Sequence, residues 1–182
     1  PKLEIRCLDG KMHIGDITLK ADHPSDYLRQ ILSQHKSPRF SYLPPFTGGL
    51  VGYFSYDYLK YSEPSVRRDT LDTEAFQDMD LMLFDKVIAF DNLRQKIILI
   101  VNMPLTDPET GYNKAVQELS HLASILRSYP QKTEPAGRLL GEVTPLFDRA
   151  TYCSMVEKAK KHIHEGDIFQ IVLSNRLSAP YE

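Results

Sequence analysis

The sequence predicts an α+β fold of mainly antiparallel sheets with peripheral helices, and three observations predict it. Strand-like stretches come in pairs joined by turn residues. Amphipathic stretches are interspersed irregularly among them. Regular strand–helix–strand alternation, the mark of a parallel sheet, is absent. At 182 residues the chain suits one or two domains. A chain of this size buries roughly 70% of its unfolded surface, enough for a real core. No internal repeat is visible.

The elements follow in order. Leu3, Ile5 and Cys7 alternate with Glu4 and Arg6, and Asp9-Gly10 supplies a two-residue turn. The stretch KMHIGDITL then returns as one ragged second strand. In DHPSDYLRQILSQHK the apolar Tyr27, Leu28, Ile31 and Leu32 share one helical face, with Asp22 or Ser25 as cap and Pro24 in the first turn. Prolines make SPRFSYLPP a loop, and LVGYFSYD after it reads as a strand. Residues 63–79 are polar and aperiodic, a surface excursion. Two apolar runs, Leu81–Phe90 and Ile97–Val101, flank the polar DNLRQK and predict a hairpin. Val116, Leu119, Leu122, Ala123 and Leu126 then form the apolar face of a helix.

Residues 130–147 hold three prolines and two glycines and predict a linker. It separates an N-terminal region, 1–129, from a final unit, 148–182. That unit reads as a helix from about Asp148, ended by Gly166 in the left-handed position, and a strand over Ile168–Leu173.

Composition bounds the function. A formal net charge of −2 offers no basic field for nucleic acid or an anionic membrane. No apolar run approaches the ~20 residues of a membrane span, and no signal core opens the chain. Cys7 and Cys153 lack framework spacing, so free thiols in a reducing cytoplasm are expected.

Several chemistries are disfavoured. Gly48, Gly49 and Gly52 do not follow dinucleotide-loop spacing and lack the Lys-Ser/Thr of a phosphate loop; close backbone approach explains them better. Tyr53, Phe54, Tyr56, Tyr58 and Tyr61 have no basic surface beside them, which favours core or interface over base stacking. His162 and His164 point to different sides of a helix, and neither Cys stands at ligand spacing from a His. No metal site is expected within the chain. Gln170 remains. It is a neutral amide among apolar neighbours in GDIFQIVLS, and such an amide either satisfies backbone groups or addresses a ligand.

Three segments carry a resemblance: PFTGGLVGYFSYDYLKYSEP, DLMLFDKVIAFDN and YCSMVEKAKKHIHEGDIFQIVLSNR. Their order and spacing are similar to those of the anthranilate synthase component I family, within the wider group of chorismate-utilising enzymes. The resemblance runs along the whole chain and is most specific at GDIFQIVLS. It implies a lyase that takes chorismate and ammonia to anthranilate and pyruvate in tryptophan biosynthesis. Mg²⁺ is the implied cofactor, a glutamine amidotransferase subunit (component II) the implied ammonia source, and tryptophan the implied feedback inhibitor. The family's metal-binding glutamates, catalytic His and substrate-binding Arg are expected beyond Glu182, so the chain is expected to be an incomplete, inactive N-terminal fragment with an incomplete tryptophan site.

One site residue carries over. Gln170 matches the position where isochorismate-forming relatives have a Lys that activates water. An amide cannot act as that base, which suits ammonia as nucleophile. Aminodeoxychorismate synthase component I is the alternative within the family, and a non-catalytic docking or amino-acid-binding module the alternative outside it. The strand at 168–173 is expected to lack partner strands, which invites self-association.

Overall fold

The computed structural model describes residues 1–63, 65–66, 75–128 and 136–182. Contacts gather the chain into two compact units, Pro1–Tyr129 and Pro130–Glu182. The excursion expected at 63–79 and the linker expected at 130–147 both fall partly outside the described residues.

In the first unit, β1 (Leu3–Leu8), β2 (Lys11–Ile14) and β3 (Ile17–Lys20) form a meander. Asp9 and Gly10 take φ of 48° and 76°, the paired left-handed conformation that a tight hairpin turn requires. The single second strand expected from KMHIGDITL is in fact two. Ile14 pairs with Ile17, and Gly15 at φ 55° reverses the chain between them. After α1 (Pro24–Gln34) come β4 (Gly49–Phe54), a 3-10 turn at Tyr56–Tyr58, α2 (Leu59–Ser62) and β5 (Met79–Phe84). The five strands form one antiparallel sheet in the order β3-β2-β1-β5-β4.

Register builds the core. Ile5 lies opposite Leu81 and Cys7 opposite Met79, so alternate residues of β1 and β5 converge on one face. Met12, Leu83 and Ala21 join them, and Leu28 and Ile31 of α1 belong to the same buried cluster. Each buried aliphatic side chain contributes roughly 1.5–3 kcal/mol, which makes this the main stabilising layer of the unit. Neither expected cap serves α1. His23 precedes it without a side-chain bond, and Pro24 supplies the first turn instead.

The hairpin expected at 81–101 is present, but shifted. Its strands are β6 (Lys86–Asp91) and β7 (Lys96–Val101), paired, among the described residues, with each other alone. The apolar run Leu81–Phe90 breaks at Asp85, where the chain leaves one sheet for the other. Asn102 holds that corner: its backbone N–H donates to the Asp85 carbonyl at 2.8 Å, and its side-chain Nδ2 donates to the Asp85 and Thr47 carbonyls at 3.1 and 2.7 Å. The helix α3 (Pro108–Ser128) packs on β7 and buries Ala115, while Val116 stays 42% exposed.

The second unit holds β8 (Thr144–Pro145), α4 (Arg149–Glu165) and β9 (Leu177–Ser178). Main-chain bonds run along the paired arms, from Arg138–Glu182 and Leu140–Pro180 to Leu146–Arg176. The strand expected at Ile168–Leu173 is not formed. Strand geometry needs a laddered neighbour, and among the described residues that segment has none.

Candidate functional site

The site begins with α4, whose ends are fixed locally. The Asp148 carboxylate accepts from the Thr151 N–H at 2.8 Å, a side-chain N-cap. Hydrogen bonding from the Thr151 side chain, and then from its N–H, holds the Asp148 carboxyl below its usual range. Gly166 closes the helix at φ 82°, its N–H donating to the His162 and Ile163 carbonyls, as a left-handed C-terminal residue does. Both ends agree with the sequence reading.

Beyond Gly166 the chain runs as a strap rather than a strand. Ile168 and Leu173 are half-buried and the residues between them exposed; Phe169 is 93% and Val172 81% exposed. The alternation of faces that a strand over Ile168–Leu173 would show is therefore lost. Gln170 lies at the middle of this strap, exposed, and its amide has no hydrogen-bond partner among the described residues. The backbone-satisfying role that the sequence left open is not the one it plays here.

The strap is held at its far end by side chains that sequence reasoning missed. The Tyr152 hydroxyl donates to the Leu173 carbonyl at 3.1 Å. Asn175 grips Phe147 twice: Nδ2 donates to the Phe147 carbonyl at 2.9 Å, and Oδ1 accepts from the Phe147 N–H at 3.0 Å. Tyr152 was legible only as a residue of the predicted helix, and Asn175 carried no signal at all.

One cluster of metal-capable groups occurs among the described residues. His162 Nδ1 lies 2.8 Å from the Asp167 carboxylate, and a Glu165 oxygen falls within 4.8 Å of both. Glu165 also pairs with Lys161 at 3.5 Å. Comparing His–Cys and His–His spacings overlooked the cluster, because two of its three members are carboxylates.

The first unit has a different polar centre. Asp78, 2% exposed, accepts from the Asp9 N–H and the Tyr61 hydroxyl at 2.8 Å each. Its other oxygen pairs with Lys60 Nζ at 2.7 Å, and Lys60 also pairs with Asp9. Tyr61 Oη accepts from the Gly10 N–H at 2.7 Å and lies 3.4 Å from Cys7 Sγ. Burial pushes the Cys7 thiol and the Tyr61 phenol up. Burial works the other way on Lys60, but its bonds to Asp78 and Asp9 outweigh that and raise it. Every member is turned to a neighbour, so the cluster ties α2 to the β1–β2 turn. In an open cleft of about 460 Å³ between Glu4, Arg6, Lys11 and His13, Arg6 is paired with Glu4 and Asp80.

The glycines serve packing. A Cβ on Gly52 would lie 2.0 Å from the Asp80 carbonyl oxygen and 2.8 Å from Leu81 Cα. The aromatic group divides: Tyr58 and Tyr61 pack against the core, while Tyr53, Phe54 and Tyr56 are exposed. Cys7 and Cys153 are free thiols. No helix among the described residues is long and apolar enough to cross a membrane.

Comparison with known proteins gives a consistent picture. Residues 3–182 match the family described as chorismate binding enzyme. Anthranilate synthase component 1 of Acinetobacter calcoaceticus is 34% identical over 173 residues, covering 92% of this chain and 34% of the relative. The Saccharomyces cerevisiae protein of the same name is 36% identical over 144 residues, 76% of this chain and 28% of the relative. The crystal structure of anthranilate synthase component I from Streptococcus pneumoniae superposes with a TM-score of 0.75 at 28% identity, over 98% of this chain and 40% of that one. The chain thus spans about a third of the length of the curated relatives it matches.

Proposed function

The chain belongs to the family of chorismate-binding enzymes, and from that membership we propose that it forms part of an anthranilate synthase component 1. Such a lyase adds ammonia to C2 of chorismate with loss of the C4 hydroxyl and then eliminates pyruvate, leaving anthranilate for tryptophan biosynthesis. The observation that carries the reading is the family match over residues 3–182 together with 34% identity to an anthranilate synthase component 1 over 92% of this chain; Gln170 within GDIFQIVLS is the residue assigned to the ammonia. Gln170 accepts a hydrogen bond from ammonia through Oε1 and donates to a substrate oxygen through Nε2. It takes no proton, and ammonia needs none removed before it attacks.

Magnesium is the cofactor that membership implies. The His162–Glu165–Asp167 cluster does not fit it. One ligand is an imidazole nitrogen, whereas this hard cation takes oxygen ligands, and Glu165 is engaged by Lys161. The magnesium ligands belong to the remainder of the enzyme. A glutamine amidotransferase subunit supplies the ammonia, tryptophan acts as feedback inhibitor, and the enzyme works in the cytoplasm. The exposed apolar strap is where a second copy of the 182-residue chain associates, which sedimentation of the chain measures.

The test is anthranilate fluorescence from chorismate, ammonia and Mg²⁺. The complete enzyme is expected to turn over and its Gln170→Ala variant to lose at least about tenfold in kcat/KM, the scale of one lost polar contact in a transition state. The 182 residues alone are expected to give no product. Turnover by the chain alone, or an unaffected variant, overturns the reading. A product with the mass of 4-amino-4-deoxychorismate identifies the alternative enzyme instead.

A further inference from the structure

Asp78 holds the segment that follows β4 at both ends. Its main-chain carbonyl accepts the Ser55 N–H at 2.9 Å, one step past the Phe54–Met79 pair that ends the β4–β5 ladder. Its carboxylate reaches the far end of the same segment, where it accepts from the Tyr61 hydroxyl at 2.8 Å and pairs with Lys60 Nζ at 2.7 Å. Between these points the chain leaves the sheet, makes the 3-10 turn and forms α2. Residues 56–62 thus have one laddered edge and one side-chain clasp. All of these partners lie within the Pro1–Tyr129 unit.

The inner side of this segment covers groups that a tight hairpin leaves open. Leu8 and Lys11 make the closing pair of the β1–β2 turn, so the N–H groups of Asp9 and Gly10 have no ladder partner. Both are taken here, Asp9 by Asp78 at 2.8 Å and Gly10 by Tyr61 Oη at 2.7 Å. Tyr61 has one hydroxyl proton and gives it to Asp78. The 3.4 Å contact with Cys7 Sγ is therefore a donation from the thiol. Cys7 is fully buried. Its ladder neighbours, Met12 and Met79, flank it within the sheet, so its cover lies across the sheet face, where Tyr61 stands.

Releasing the segment costs less than unfolding the sheet. Tyr58 and Tyr61 pack against the core as partly buried side chains, whereas Ile5, Cys7, Met79 and Leu81 are its fully enclosed members. Tyr58 adds ring contacts with Phe54 and Tyr61 at 4.7 and 5.2 Å and a bond to Ser25 of α1. Less apolar surface is bared by lifting these two rings than by separating β1 from β5, and local opening follows the cheaper route.

We infer that residues 56–62 form a hinged flap, clasped by the Asp78 carboxylate through Lys60 and Tyr61. It swings about Ser55, and its release bares the Cys7 thiol and the Gly10 N–H while the sheet stays folded.

Thiol labelling and amide exchange test it together. In the 182-residue chain carrying Cys153→Ser, Cys7 is the one remaining thiol, and its rate of reaction with dithiodipyridine reads the opening. That rate is expected to be nearly flat in urea below the unfolding transition, because a local opening exposes little surface. Lys60→Met keeps an unbranched stem and loses the ion pairs to Asp78 and Asp9. It should raise the labelling rate at least about tenfold, the scale of a lost hydrogen bond to a charged group. Gly10 amide exchange should rise by the same factor. Lys60 carries donors only and cannot bond that N–H, so the response has to pass through the flap. Exchange of the Ser55 N–H, at the hinge, should stay within about twofold. Tyr61→Phe keeps the ring in its packing and should speed Cys7 labelling in the same way, with urea denaturation reporting that the fold is intact. Labelling that follows the full urea dependence of global unfolding overturns the inference, as does joint release of the Gly10 and Ser55 amides. Rates unchanged in both variants overturn it too. So does a Lys60→Met chain in which Gly10 is released and Cys7 stays unreactive, since something other than the flap would then cover the thiol.

Discussion

Asp78 shows how much a single side chain can carry in this molecule. Its carboxylate is 2% exposed, and it accepts from Lys60, Tyr61 and the Asp9 N–H at once. Taking away one partner of a buried ion pair leaves the other charge uncompensated, a loss of about 3–5 kcal/mol. Asp78→Ala is expected to cost about 3 kcal/mol in urea denaturation at pH 7, since Lys60 keeps its bond to Asp9. The same titration has a sign. Cys7, Lys60 and Tyr61 all hold their protons more tightly folded than unfolded. Their contribution is complete below the unfolded values and drains away as pH rises past about 9. Native stability should therefore fall as pH rises above about 9, and less steeply in Asp78→Ala; equal slopes would remove the cluster from the explanation. At this scale the sequence was readable where chemistry is local. Asp148 and Gly166 announce themselves as helix ends by residue type alone. The Asp78 cluster does not, because Cys7, Lys60 and Asp78 meet only once β1, α2 and β5 are assembled.

Among the elements, β4 is the one whose sequence is most constrained by its neighbour. Gly52 faces Leu81 in the ladder, and any side chain would enter the β5 backbone, which cannot swing aside as a flexible side chain does. Gly52→Ala is expected to destabilise the first unit by at least about 2 kcal/mol, as overpacking against fixed atoms does; a melting temperature equal to the native one would contradict that. Periodicity and turn residues made the hairpins visible, because Asp9-Gly10 and the polar 91–96 stretch interrupt apolar alternation. They could not show that Leu81–Phe90 serves two sheets, since both halves are apolar and the corner at Asp85 is set by Asn102, far along the chain. The expected strand at 168–173 failed for a related reason. Residues rich in Ile, Val and Leu have strand propensity, but propensity becomes a strand only where a partner supplies hydrogen bonds.

Across the whole molecule, the α+β class, the antiparallel pairing and the family likeness were all legible, because each is written in pattern and order along the chain. The candidate site was legible as one residue. Gln170 stands out as an amide among aliphatic side chains, but the bonds farther along, Tyr152 to the Leu173 carbonyl and Asn175 to Phe147, depend on geometry. The paired arms of the second unit have a consequence for its integrity. Chymotrypsin cutting after Phe169, 93% exposed, would sever the covalent path between them. The two pieces would stay joined by the bonds linking 138–146 to 176–182. Nicked protein is therefore expected to elute from gel filtration as one species and to part into two only in denaturant. Fragments that separate in plain buffer would mean that the paired arms cannot hold the unit without an unbroken backbone.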